Sequence, residues 1–291
     1  MTNQPVLADA LLVKLTISLW GAASTDKAVS ADVAERYAAS SDAGRYTKNL
    51  IHPDALKGVR AAATALRDYH KQVTRPYEDG GRRLLPGVLT SEYQSRMLEL
   101  TSDFHDQVGL FLLIYPEYVE KARDGMLGAM FDENQYPHVN DLGESFRVVT
   151  GFEPLPSGAA LPMTLRDREA LAAGIEKQSR EALAESAQAL FYRVKNTIAG
   201  LGQRLKHYSD KEAAGERTRF MSSMMDELRD LTEILPHLNI EHDPFLDGIC
   251  TRLKASLAPI DVSELKEDKV QRDKVMREVD AILATFQTVE A

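Results

Sequence analysis

The sequence has little of several features that would define a function class at once. Cys250 is the one cysteine among 291 residues, so no intramolecular disulfide can form and a reducing compartment is expected. Lys and Arg together number 35 against 44 Asp and Glu, which argues against a protein that coats nucleic acid through clustered cations. The apolar run 109–115 is far shorter than the roughly 18 to 20 residues of a membrane span, and the N-terminus does not resemble a signal peptide. Together these absences predict a cytoplasmic protein that makes no membrane contact.

What the sequence does contain is one long amphipathic pattern between Thr164 and Tyr208. Apolar residues recur there at steps of three, four and seven, which predicts a single stripe along an α-helix. Thr164 and Asp167 form a capping pair, and no proline interrupts the run. A helix about 60 Å long cannot bury its stripe against itself, so other helices are expected to lie along it.

Three further helices are predicted after this one. Ser209 and Glu212 have the spacing of a capping box for a helix that ends near Leu235. Asp243-Pro244 is typical of an N-cap followed by proline at the first helical position, and Asp261 or Ser263 is expected to begin the last helix. Short connections make neighbouring helices antiparallel, so residues 161–291 are predicted to form a long-helix bundle.

The N-terminal half, residues 1–160, is predicted to be an α+β domain with a small antiparallel sheet. Leu11 to Trp20 alternates apolar and polar residues with period two, which is typical of a half-buried strand. Residues 146–152 alternate in the same way and are its expected partner. Proline and glycine between 74 and 89 favour a loop there. The fold class is therefore mainly α, with a small β element in the N-terminal half.

Several helices are also expected in this half. Ser30 is positioned to cap a short helix through Tyr37, and a second short helix is expected after Asp42. A longer amphipathic pattern covers 54–73. The next helix is expected to run from Thr90 to Tyr115, and Pro116 to open a new one.

One stretch is more basic than the rest and is a candidate anion-binding or nucleic-acid-binding site. The first four of its cations are expected to share one side of the helix predicted for 54–73. The cations are Lys57, Arg60, Arg67, Lys71, Arg75, Arg82 and Arg83. Tyr69 and Tyr77 lie among them and could stack on bases, as single-strand binders require. A solvated helix face is the competing interpretation of the same pattern.

No pattern in the sequence indicates catalysis, a cofactor or a metal. His237 and His242 are five residues apart, whereas helical metal pairs are separated by three or four. Cys250 lies in an apolar helical row, which is typical of a buried thiol without a catalytic role. We therefore expect a protein that is not an enzyme and holds no cofactor.

Methionines crowd one side of a predicted helix at Met221, Met224 and Met225. Because methionine side chains adapt to differently shaped partners, this group is a candidate partner-binding surface. Ordinary filling of the core is the alternative interpretation.

Four segments resemble an uncharacterised family of phages, prophages and integrative elements, a domain of unknown function. They are LVKLTISLW near the N-terminus, DAGRYTKNLI at 42–51, GRRLLP at 81–86 and LPHLN at 235–239. The family has no established activity, and some relatives are encoded near MoxR-type AAA+ ATPases and von Willebrand-type proteins. The resemblance implies a helical accessory protein that binds another protein or itself, with such an ATPase as a candidate partner, in the host cytoplasm if phage-encoded. A nucleic-acid-binding accessory protein that uses the basic stretch is the alternative.

Overall fold

The computed structural model describes residues 10–78, 80–156, 165–215 and 223–290. The fold is mainly α with a small antiparallel β element, as predicted. The strands are β1 Ala10–Ser18, β2 Ala23–Asp26, β3 Tyr46–Asn49, β4 Arg75–Pro76, β5 Arg82–Pro86 and β6 Arg147–Pro154. The α-helices are α1 Lys27–Arg36, α2 Lys57–Gln72, α3 Thr90–Lys121, α4 Val139–Gly143, α5 Leu165–Ala213, α6 Ser223–Leu238, α7 Pro244–Ser256, α8 Val262–Glu267 and α9 Lys269–Glu290.

The chain forms two compact units that are not contiguous in sequence. Unit 1 contains the described residues of Met1–Lys14, Lys71–Ser91 and Gly151–Ala291, and unit 2 contains Leu15–His70 and Glu92–Thr150. The C-terminal helices therefore share their unit with three short segments from the N-terminal half. Whether 1–160 and 161–291 each fold as separate domains stays a prediction.

The long helix α5 organises unit 1. It runs for 49 residues, about 74 Å, without interruption, and Thr164, its expected cap, lies outside the described residues. Its buried row packs against α6 and α9 of the same chain, as expected for a stripe too long to be left in water. That row consists of Leu190, Val194, Ile198, Leu201 and Leu205.

Three phenylalanines join the helices of this core. The ring centroids of Phe191, Phe245 and Phe286 lie 4.9 to 5.6 Å apart, in tilted and edge-to-face arrangements. Such aromatic pairs add about 0.5 to 1.5 kcal/mol each beyond the burial of their area. Helices α5, α7 and α9 are therefore fixed to one another at this level.

The capping box predicted at Ser209 and Glu212 is wrong. Both residues lie inside the last turns of α5, which continues to Ala213. They contact Arg272 of α9 instead, through a hydrogen bond to Ser209 and an ion pair with Glu212. The spacing of a capping box also occurs inside helices, so the pattern alone could not locate the helix start.

The four-stranded sheet has the order β4-β5-β1-β6. The predicted pairing of the first strand with residues 146–152 is confirmed, since β6 lies beside β1. The loop predicted for 74–89 is wrong, because it contains β4 and β5. Antiparallel pairing of β5 with β1 places Ala10 opposite Pro86 and Val13 opposite Arg83.

Unit 2 differs from the sequence predictions at three places. The cap of α1 is Asp26, whose carboxylate accepts from the amide of Val29, and Ser30 lies inside the helix. The segment after Asp42 forms strand β3, paired with β2, where a helix was expected. Pro116 lies within α3, which continues to Lys121, and does not open a new helix.

The last predicted helix is divided in unit 1. Asp261 caps the short helix α8, and Asp268 accepts from the amide of Val270 at the start of α9. The predicted N-cap at Asp243 is confirmed, since its carboxylate accepts from the amides of Phe245 and Leu246.

Candidate functional site

The cations of the basic stretch do not form one surface. In unit 2, Lys57 and Arg60 are exposed and Arg67 is half-buried on α2. At about 100° per residue these three share one side of the helix. Lys71, at the end of the same helix, is exposed and belongs to unit 1.

Arg75 is not available to an anion in solution, which corrects the sequence prediction. Its side chain is 1% exposed, and its guanidinium makes a two-pronged ion pair with Glu241 at 2.6 Å for each hydrogen bond. It also donates to the Ser186 hydroxyl at 3.0 Å and to the Leu238 carbonyl at 2.9 Å. Arg75 therefore connects β4 to α5, to the end of α6 and to the segment that follows it.

Arg82 and Arg83 are also engaged within unit 1. Arg83 donates to the hydroxyl and to the carbonyl of Thr74, at 2.6 and 2.9 Å. Arg82 lies 3.9 Å from the carboxylate of Glu78 and 3.6 Å from that of Glu153. These contacts reduce the basic stretch to the short row on α2.

The methionine group is not confirmed as a partner-binding surface. Met225 is fully buried in the core of unit 1, so it fills space between helices and contacts no solvent. Met221 and the side chain of Met224 lie outside the described part of the chain.

Surplus apolar surface is found on α3 in unit 2. Leu110, Leu113 and Ile114 are 58%, 77% and 36% exposed. Their spacing places them within an arc of about 100° on the side of the helix away from its buried row. A contiguous apolar group of this kind is typical of an interaction site, whereas single exposed leucines are ordinary.

Carboxylates border these apolar residues along the same side of the helix. Asp103, Asp106 and Glu117 are exposed, and their spacing continues the row over about 21 Å. Within the described residues, neither aspartate forms an ion pair, while Glu117 lies 3.8 Å from Lys121. We call Asp103, Asp106, Leu110, Leu113, Ile114 and Glu117 the α3 outer face.

The opposite side of α3 is anchored by aromatic packing, which holds the outer face in place. The ring of Trp20 lies 5.7 Å from that of Tyr115 and 6.2 Å from that of Phe111, and Phe111 contacts Phe146 edge-to-face. The Tyr115 hydroxyl donates to the Pro137 carbonyl at 3.1 Å. Burial, with a smaller contribution from the neighbouring Tyr136, raises the pKa of Tyr115 to about 12.

A sequence signal for the α3 outer face does exist. The run from Leu110 to Ile114 is five consecutive apolar residues, LFLLI, which points apolar side chains to every side of a helix. A helix that buries one side needs only about half of them. The sequence predicted this run to lie in a helix and to be too short for a membrane span, but its exposed apolar side was not predicted.

Unit 2 also contains an open cleft of about 300 Å³ beside α1. Tyr37, Arg45 and Tyr46 line it together with small residues that include Ala34, Ala39, Ala43 and Gly44. Residues 43–46 belong to the DAGRYTKNLI segment, so the structure places part of that segment at a surface cavity. Two tyrosines and an arginine could hold a flat or apolar group.

Within the described residues, no three His, Cys, Asp or Glu side chains come together in a way that could hold a metal. The Cys250 thiol is buried, lies 3.5 Å from the Thr232 carbonyl and has its pKa raised by burial. His70 is buried on α2, where its Nδ1 contacts the Tyr93 hydroxyl at 2.8 Å. The protonated thiol of Cys250 is not the thiolate that nucleophilic chemistry requires.

None of the helices described is both long and apolar enough to cross a lipid bilayer. Comparison with protein-family models, with curated proteins and with solved structures finds no match to this chain.

Proposed function

We propose that this chain is a non-enzymatic accessory protein that binds another protein, and that the α3 outer face is its docking surface. The observation that carries the proposal is the exposure of Leu110, Leu113 and Ile114 side by side on a helix whose other side is firmly packed. Their burial against a partner would remove apolar area from water at about 25 cal/mol per Å².

The long helix α5 does not by itself require a partner. The buried row of α5 is covered by α6 and α9 of the same chain, so its apolar side chains do not require a second copy. The remaining apolar surface on α3 is therefore the better reason to expect a partner. Helices with rigid, exposed apolar faces are a common means of protein recognition.

The identity of the partner is proposed from the resemblance alone. The resemblance supports an origin in a phage or mobile element and a place in the host cytoplasm. It also supports a MoxR-type AAA+ ATPase or von Willebrand-type protein as the partner. Self-association into an oligomer is the other form that this function could take.

Size-exclusion chromatography with light scattering tests the proposed function. The full chain is mixed with a purified MoxR-type ATPase or von Willebrand-type protein, the candidates that the resemblance implies, and complex formation is expected to raise the measured mass. The double variant Leu110→Asp/Leu113→Asp should abolish the complex, while Leu98→Asp should not. Leu98 is a matched control, since it is 73% exposed on the same helix but about 22 Å from Leu113 along the axis. A chain that keeps the mass of a monomer with every candidate would refute the proposal.

A nucleic-acid-binding role is the second candidate, because Lys57, Arg60 and Arg67 form an unburied row on α2. Three cations along about 15 Å could follow a single phosphate backbone. The logarithm of the affinity for single-stranded DNA should then fall linearly with the logarithm of the salt concentration. Arg60→Glu/Arg67→Glu should make this slope less steep. Equal slopes for parent and variant would exclude this role.

A further inference from the structure

Given the proposed function, we infer that the α3 outer face binds a basic amphipathic helix. The inference rests on the combination of three exposed apolar side chains with carboxylates at both ends of the row. Asp103 and Asp106 lie one to two turns before Leu110, and Glu117 lies one turn after Leu113 and Ile114. A partner must therefore present an apolar stripe with cations near its ends.

The geometry of the face selects a helix as the partner segment. Leu110, Leu113 and Ile114 follow the i, i+3, i+4 spacing, which produces a ridge along the helix axis. Such ridges pack against the grooves of another helix, whose own apolar residues recur at the same spacing. The whole face is about 21 Å long, which corresponds to about four turns of a partner helix.

The charges of the face determine the sign of the charge that the partner should carry. Asp103 and Asp106 are exposed and form no ion pair within the described residues, and Glu117 has only a long contact with Lys121. Lys or Arg on the partner would find these carboxylates at the border of the contact, where charge complementarity favours association and orientation. A partner with carboxylates at the same positions would be repelled.

The same charges argue against a second copy of this chain as the occupant. Two outer faces in contact would bring the aspartates of both copies to the same interface, and like charges placed together are unfavourable. The net charge of −9 adds a general repulsion between copies. A cationic helix gains from both of these features.

Fluorescence anisotropy with defined peptides tests this inference on the full chain. The probe is a labelled peptide of about 18 residues with Leu at i, i+3, i+4 and i+7 and Lys elsewhere. The comparison peptide has Glu in place of every Lys. We expect the Lys peptide to bind, the Glu peptide not to bind, and the affinity of the Lys peptide to fall as salt is added.

Variants of the chain locate the binding site. The added negative charge of Leu110→Asp/Leu113→Asp would by itself strengthen binding of the Lys peptide. A loss of about tenfold or more in affinity would therefore show that the peptide contacts the apolar row. Asp103→Lys/Asp106→Lys should cause a similar loss. The charge-matched control Asp32→Lys/Glu35→Lys changes two exposed carboxylates on α1 in the same unit by the same amount and should leave most of the affinity.

Four results would overturn the inference. The Glu peptide could bind as well as the Lys peptide, or the α3 variants could bind like the parent chain. The third is that light scattering shows a dimer that the α3 variants dissociate, which would identify a second copy as the occupant. A complex with an ATPase that persists in Leu110→Asp/Leu113→Asp would keep a protein-binding function and reject this site.

Discussion

Replacing Arg75 with methionine is the sharpest test of how unit 1 is held together. Methionine keeps an unbranched side chain of similar reach but removes the charge and all hydrogen-bond donors. Loss of one partner from a buried ion pair costs about 3 to 5 kcal/mol of unfolding free energy. The Glu241 side chain is 33% exposed and can regain water, which favours the lower end of that range.

Two other groups lose their partner in the same variant. The Leu238 carbonyl and the Ser186 hydroxyl both accept from Arg75, and Ser186 is 1% exposed. An unsatisfied buried polar group costs about 1 to 3 kcal/mol. Because these costs overlap with the loss of the ion pair, we expect Arg75→Met to lower the unfolding free energy by about 3 to 4 kcal/mol.

Urea unfolding followed by circular dichroism measures this loss. Arg60→Met is the matched control, because Arg60 is an exposed arginine from the same basic stretch, and it should change stability by less than about 0.5 kcal/mol. The double variant Arg75→Met/Glu241→Met should recover much of the loss, because no unpaired charge remains. If Arg75→Met cost less than about 1 kcal/mol, the buried ion pair would not be what joins β4 to the helices.

Three further predictions concern packing and ionisation. A Cβ at Gly202 would lie 2.9 Å from Val279 Cγ1 on α9, so Gly202→Ala should lower the unfolding free energy by about 1 kcal/mol or more, as measured by thermal unfolding. Gly200 has open space around it, so Gly200→Ala should raise the unfolding free energy by about 0.5 to 1 kcal/mol. Equal effects of the two substitutions would contradict this packing. The pKa of Tyr115 is raised to about 12, so the protonated phenol favours folding, and this stability should be complete below the unfolded pKa of about 10 and lost as pH rises through the folded value. Phenolate absorbance should show a late alkaline step that Tyr115→Phe removes, and an unchanged titration curve would refute the assignment. Cys250 should react with a thiol reagent only on unfolding, because its thiol is buried and its pKa is raised, and rapid labelling of the native chain would contradict that burial.

Patterns that repeat along the chain were predictable from the sequence. The apolar stripe of α5 was predictable because its period of 3.6 residues persists over many turns and no proline interrupts it. The pairing of β1 with β6 followed from matched alternation, since each strand needs a partner for its edge. Asp243 was readable because capping chemistry is local.

Features that depend on distant residues were not predictable. Strands β4 and β5 are short and lie among glycines and prolines, so only the pairing of β5 with β1 and of β4 with β5 defines them. Arg75 was assigned to solvent because arginine is rarely buried, and its partner Glu241 is 166 residues away. The continuation of α3 through Pro116 is decided by packing on both sides of the proline, as at Tyr115 and Ala122.

The candidate site was predictable only in part. The row Lys57, Arg60 and Arg67 was correctly placed on one side of a helix, because helical spacing is a local property. Arg82 forms an ion pair with Glu153, and Arg83 donates hydrogen bonds to Thr74, and no spacing rule predicts either contact. The α3 outer face could not be predicted without knowing which side of the helix the core buries.

The bond between Arg75 and Glu241 has a consequence for the order in which the nascent chain can mature. A ribosome adds about 5 to 20 residues per second, so the 166-residue separation means that the arginine waits roughly 8 to 33 s for its carboxylate to be synthesised. During that interval the guanidinium lacks its ionic partner, and strand β4 lacks this link to the segment that follows α6. Unit 1 can therefore close only after Glu241 has been synthesised, however early its first residues emerge.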